Sequence, residues 1–176
     1  AARSVLAREL NMDSIVEIKE NAEVEIEIQV HGMTCMFQSK RSLIGNYFEY
    51  QGKVMDIERK KKESGMFLHD KERDNKYPIF EDENGTHIMS PNDVCIIDEL
   101  EELIDAGIDS FKIDGVLKMP EYLIEVTKMY REAIDLCVEN RDEYEAKKED
   151  WIERIESIQP VNRKIDTGFF FKETVY

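Results

Sequence analysis

The sequence predicts an α/β fold built on parallel strands with a small antiparallel β element inserted into it, and three observations carry the prediction. Residues Val24 to Val30 alternate strictly between apolar and polar side chains, the period of a strand with one buried face. A short apolar run and an amphipathic stretch precede that strand, so residues 1–36 read as a β-α-β unit with short connections, whose strands should be parallel. After an interruption over 37–89, helix and strand signals resume over 90–158, and a tail with its own strand follows over 159–176.

Each element has a local reason. Ser4-Val5-Leu6-Ala7 reads as a buried strand, with Arg8 and Glu9 at its carboxyl end. Asn11 can cap the next helix by accepting one of its unpaired amide hydrogens, and Met12, Ile15 and Ile18 form its apolar stripe. The alternating strand is expected to stop at Gly32, which places His31 and Cys35 just past its end. Met36 to Tyr50 mixes aromatic and basic residues without a clear period and reads as an irregular loop. Residues 52–76 hold the dense basic run Arg59-Lys60-Lys61-Lys62 and read as an exposed loop or hairpin. Tyr77–Phe80 and Thr86–Met89 flank Asn84-Gly85, a strong hairpin signal because both residues tolerate positive φ. Ser90-Pro91-Asn92-Asp93 has the form of a helix start, with Ile97, Leu100, Leu103 and Ile104 as the buried stripe. Asp109–Gly115 is a short strand running into a glycine turn, and a long helix spans about Pro120 to Val138. Tyr144, Trp151, Ile155 and Ile158 mark a further helix, and Thr167–Phe171 reads as a terminal strand.

Composition narrows the function classes. Asp and Glu outnumber Lys and Arg by 39 to 24, a formal net charge of -15, so RNA contact would need a local basic patch or a basic partner. The three cysteines, Cys35, Cys95 and Cys137, are far apart and lack a metal-ligand spacing, which suits a reducing cytoplasm, and no metal site is expected. No apolar run reaches the roughly 18 residues of a membrane span.

The order β-α-β-insertion-α-β-α matches part of a TIM-like (β/α) barrel. Three parallel strands fall short of the eight, and the chain short of the roughly 250 residues, that a closed barrel takes, so the expectation is the C-terminal part of one. Arg8 and Glu9, His31 and Cys35, and Lys112 and Asp114 would then gather on the carboxyl rim, where barrel enzymes keep their sites. Cys35 lies four residues from His31, the reactants of a cysteine nucleophile, but neither an orienting group nor an oxyanion hole is legible. Lys40 and Arg41 with the 59–62 run are the candidate binding cations.

Val5-Leu6-Ala7-Arg8-Glu9, Glu27 with His31-Gly32-x-x-Cys35, Tyr77-Pro78-Ile79, Glu83-x-Gly85-Thr86, Asp109–Gly115, Tyr130-Arg131-x-Ala133 and Thr167-Gly168-Phe169 resemble, in this order, peptidase family U32 of collagenase-like proteins. The resemblance implies two conflicting activities: peptidase, or oxygen-independent hydroxylation that relies on a [4Fe–4S] cluster on four cysteines. The family places the first of these where Cys35 stands; seven residues later this chain has Ser42, Lys40 replaces a glycine, and no cysteine lies between Gly52 and Lys76. One thiolate cannot hold a cubane, so no cofactor is expected. The family's Gly-Arg pair is also altered, with Val116 after Gly115. The resemblance therefore points to a subunit of prephenate-dependent tRNA wobble-uridine 5-hydroxylation acting with a cluster-bearing paralogue on tRNA, the alternative being a peptidase using His31 and Cys35. Such a partial barrel is also expected to self-associate through open edges and to be inactive alone.

Overall fold

The computed structural model describes residues 2–53, 65–72, 74–161 and 163–172. Among them lie strands β1 (Arg3–Val5), β2 (Glu25–Ser39), β3 (Met66–Asp70), β4 (Asn75–Asp82), β5 (Gly85–Cys95), β6 (Ser110–Asp114) and β7 (Ile165–Asp166). The helices are α1 (Met12–Asn21), α2 (Leu43–Tyr50), α3 (Leu100–Asp105), α4 (Pro120–Glu139) and α5 (Arg141–Ile158). The chain divides into two units, Ala1–Met33 with Asn92–Tyr176, and Thr34–Pro91.

The first unit is parallel. β1 runs alongside β2 with Arg3 opposite Glu25 and Val5 opposite Glu27, so the expected β-α-β return forms. Asn11 caps α1 as its side chain suggests, Oδ1 accepting the Ser14 amide at 3.0 Å. Asn11→Ala is expected to cost about 1 kcal/mol; a denaturation midpoint unchanged from wild type would contradict the cap. β6 adds to the other side of β2 in parallel, from Glu27 opposite Ser110 to Gly32 opposite Asp114. Apolar faces of α3, α4 and α5 close the core, in which Leu103, Val126, Cys137 and Trp151 are fully buried. Tyr144 ties two of these helices together: its hydroxyl accepts the Leu100 amide at 3.0 Å and donates to the Ile97 carbonyl at 2.9 Å, so α5 supplies the cap that Glu99 does not provide to α3.

Four expectations are corrected here. The alternating strand does not stop at Gly32 but runs on to Ser39. Gly32 takes φ +106°, and a Cβ there would stand 2.2 Å from the Asp114 carbonyl oxygen, so the glycine permits close approach to β6 rather than a turn. Ser90–Asp93 is strand, not helix start: the Asp93 amide donates to Lys164 O at 2.9 Å and Asp93 lies opposite Ile165 of β7. These partners lie some 70 residues on in the chain, beyond the reach of a local signature. The third correction is the tail, where β7 ends at Asp166 and residues 168–171 form a turn closed by Phe170 N–H on Thr167 O. Phe170 is buried and its carbonyl accepts the Met12 amide at the start of α1, while Phe171 remains exposed.

The second unit is antiparallel. β3 pairs β4, and β4 pairs β5 through the expected hairpin, with Asp82 opposite Gly85 and the positive φ, +115°, on Gly85. The fourth correction falls here, since 36–50 is not an irregular loop: Met36–Ser39 continues β2 and Leu43–Tyr50 is α2. The helix is held from a distance by Glu81, whose carboxylate accepts the Ile44 and Gly45 amides at 2.8 and 3.1 Å, an acidic side chain at the positive end of the helix.

Candidate functional site

The register of β2 against β6 decides where His31 points. Gln29 faces Lys112 and His31 faces Ile113, so Val30 is an extra residue on β2, a β-bulge. Without it His31 would share the face of Glu27 and Gln29. The bulge reverses the alternation and brings His31 to the side of Ile28 and α4, where it is fully buried.

There α4 meets it with two tyrosines. Tyr122 Oη lies 2.8 Å from His31 Nε2, and Tyr130 Oη lies 3.4 Å from Nδ1. The single Tyr130 hydroxyl proton goes to Val30 O at 2.8 Å, leaving its oxygen to accept from the Ile96 amide at 3.3 Å and from His31. Counting protons in this way assigns the tautomer: Nδ1 carries the hydrogen and Nε2 accepts from Tyr122. Burial is the main cause that pushes the imidazole down to about 4, with the Asp93 charge opposing and the Lys118 charge assisting, so His31 is neutral at pH 7. Burial likewise raises Tyr122, Tyr130 and Cys95, the last to about 11, so each keeps its proton.

Beside this pair lies an ionic cluster. Asp93, fully buried on β5, accepts from Lys118 Nζ and from Arg163, whose Nε is 3.0 Å away. Burial pushes the Asp93 carboxyl up, but the hydrogen bonds and charges of Arg163 and Lys118 outweigh it and hold it below the ordinary value. Lys118 Nζ also donates to Gln159 Oε1 at 3.1 Å and stands 4.6 Å from the Tyr122 ring centroid, which joins the ionic cluster to the histidine. The arrangement offers a neutral acceptor nitrogen, a hydroxyl donor and a buried ammonium midway along β2, next to the carboxyl end of β6, the end of a parallel strand at which ligands bind.

The other sequence-derived candidates are placed as follows. Lys112 and Asp114 form an ion pair at 3.4 Å at the end of β6. Arg8 and Glu9 lie in an exposed turn after β1. Cys35 belongs to the second unit and its Sγ–H donates to Phe37 O at 3.5 Å; Lys40 and Arg41 are exposed there. Arg59, Lys60, Lys61 and Lys62 lie outside the described residues. Sequence reasoning missed Tyr122, Lys118, Arg163 and the true setting of Asp93. Tyr130 stood in a quoted motif, but nothing local tied it to His31.

A match to peptidase family U32 spans residues 1–175. The chain belongs to that family. It is 33% identical to an uncharacterized protease of Methanocaldococcus jannaschii over 98% of this chain and 42% of that protein. It is 30% identical to the tRNA hydroxylation protein P1 of Bacillus subtilis over 96% of this chain and 39% of that protein. It is 33% identical to the collagenase of Porphyromonas gingivalis over 74% of this chain and 33% of that protein. The chain thus spans about two fifths or less of these U32 relatives. No solved structure matches it significantly. Among the described residues no helix is long and apolar enough to cross a membrane, and no group of three or more His, Cys, Asp or Glu side chains could hold a metal ion.

Proposed function

We propose that this U32 chain serves tRNA wobble-uridine 5-hydroxylation with prephenate, as a cluster-free subunit acting in the cytoplasm with a cluster-bearing paralogue. The observation that carries the reading is the likeness to a tRNA hydroxylation protein over 96% of the chain. Within this chain Cys35 stands at a cluster position while Ser42 stands where the next thiolate is expected, and one thiolate does not hold a cubane that takes four, which supports reading the subunit as cluster-free. In this reading β1, β2 and β6 are part of a TIM-like barrel, and the His31 cluster with Lys112 and Asp114 lies on its rim. Arg8, Glu9, Lys40, Arg41 and the 59–62 run then provide surface for tRNA or the partner. β1 pairs only with β2 among the described residues, and Val5 on it is 60% exposed, an edge suited to association with the partner or a second copy.

The peptidase alternative rests on the likeness to a collagenase and needs His31 as base for Cys35. Against it, both His31 ring nitrogens are engaged by tyrosine hydroxyls, so the base would first have to give one up. Nucleoside mass spectrometry of tRNA from cells lacking the gene is expected to show loss of 5-hydroxylated wobble uridine, restored by the wild-type gene. Unchanged modification in cells that keep the cluster-bearing partner but hold no other cluster-free family member to compensate would reject the hydroxylation role.

A further inference from the structure

The ring of Tyr122, whose hydroxyl pairs with the buried His31, carries over it the ammonium of Lys118, a side chain delivered by a turn of unusual build. Asp114 ends β6, and the next residues fold back so that Lys118 N–H donates to Gly115 O at 3.1 Å, while Val116 N–H donates to Asp114 Oδ1, also at 3.1 Å. The third position of this turn favours glycine, yet it holds Leu117 at φ +59°. A leucine there is strained, and such strain persists only where surrounding contacts impose it. Apolar packing does not impose it, because Val116, Leu117 and Met119 are 47%, 59% and 69% exposed. The contact that does is Lys118, whose side chain is 1% exposed, bound to Asp93 and Gln159 and lying over Tyr122.

We propose that the Gly115–Met119 turn is a gate over the His31–Tyr122 pair, bolted shut by Lys118 on Asp93. Its parts are matched to opening. When Lys118 leaves, Arg163 stays on Asp93, so the buried carboxylate is never left without a cation. The three exposed apolar side chains lose little packing when the turn moves, which places the segment among the weakly held parts of the fold. Strain at Leu117 is released in the open form and narrows the gap between the two states. Opening presents His31 Nε2, a neutral acceptor, and the Tyr122 hydroxyl, its donor, beside the carboxyl end of β6.

Carbethoxylation of His31, followed by peptide mass spectrometry on the whole chain with the exposed His69 as internal reference, tests the gate. Lys118→Met keeps the side-chain volume and removes the bolt; His31 should then react at least about tenfold faster relative to His69, given the strength of a buried ion pair. Cys137, buried on α4, should stay inert to a thiol reagent in the same sample. Leu117→Asn accepts the left-handed conformation with less strain and should slow His31 modification by about fivefold relative to wild type. An unchanged His31 rate in Lys118→Met would overturn the gate, as would Cys137 becoming reactive together with His31, which would mean that the unit opens as a whole. A Leu117→Asn rate equal to wild type would remove the stored strain from the mechanism and overturn the proposal in this form.

Discussion

Asp93→Asn is expected to destabilise the first unit by about 3–5 kcal/mol, the cost of removing one partner from a buried ion pair. The carboxylate is fully buried and receives two cations, Lys118 with a side chain 1% exposed and Arg163 with one 12% exposed. Asparagine keeps the shape but carries no charge and one acceptor fewer for the two cations, so the desolvated charge of Lys118 keeps only neutral acceptors among the described residues, Gln159 Oε1 being one. Arg163 suffers less because part of it reaches solvent. Trp151, the chain's single tryptophan, is buried in the same unit and reports its urea unfolding by fluorescence. Asp93→Asn combined with Lys118→Met should lose clearly less than the sum of the two single changes, since the second removes the charge that the first strands. A loss below about 1 kcal/mol for Asp93→Asn would show that the cluster behaves like a surface pair.

What the sequence disclosed and what it hid divide along chain distance. The Asn11 cap, the Asn84-Gly85 hairpin and the long helix from Pro120 rest on neighbours within a few residues and formed, as did the parallel β-α-β return, although its first strand is Arg3–Val5 with Val5 60% exposed rather than a buried Ser4–Ala7. Ser90-Pro91-Asn92-Asp93 satisfies a helix start equally well on local grounds. Only pairing with Lys164 and Ile165, far along the chain, makes it strand. Helix α2 escaped notice because Leu43, Ile44, Tyr47 and Phe48 give an eight-residue helix barely two turns of periodicity. The site follows the same rule. His31 could be singled out by its place near a strand end, but strict alternation up to Val30 hides the bulge that turns it inward, since the extra residue exists only relative to β6. Its partners Tyr122 and Tyr130 lie 91 and 99 residues away. Tyrosine on a helical stripe is ordinary core, and no spacing distinguishes these two from Tyr144, whose hydroxyl bonds the Leu100 amide and the Ile97 carbonyl.

Stability of the first unit is expected to fall as the pH is lowered from about 6.5 to about 4, and His31 is the reason. Its imidazole titrates near 6.5 when unfolded and is depressed to about 4 when folded, chiefly by burial. Between these values the unfolded chain binds a proton that the folded chain refuses, so stability is complete above about 6.5 and is lost progressively as the pH falls through the folded value. Each tenfold difference in proton affinity between the two states is worth about 1.4 kcal/mol, so the loss amounts to roughly 3 kcal/mol. Asp93 acts in the same direction but later, because its folded value lies below that of an ordinary carboxylate and its contribution is lost only in stronger acid. Glu99, raised above the ordinary carboxylate value chiefly by burial, acts in the opposite direction within the same window, so the histidine's share is read by difference. Urea titrations of wild type and His31→Gln at pH 7 and pH 4.5, followed by Trp151 fluorescence, isolate the effect, since subtracting the two profiles cancels the other titrating groups. The variant should be less stable at pH 7 through loss of the Tyr122 and Tyr130 contacts, yet lose about 2–3 kcal/mol less than wild type on acidification. Equal losses in the two proteins would mean that His31 takes up its proton without penalty in the folded state, which would contradict its closed, desolvated setting between the two tyrosines.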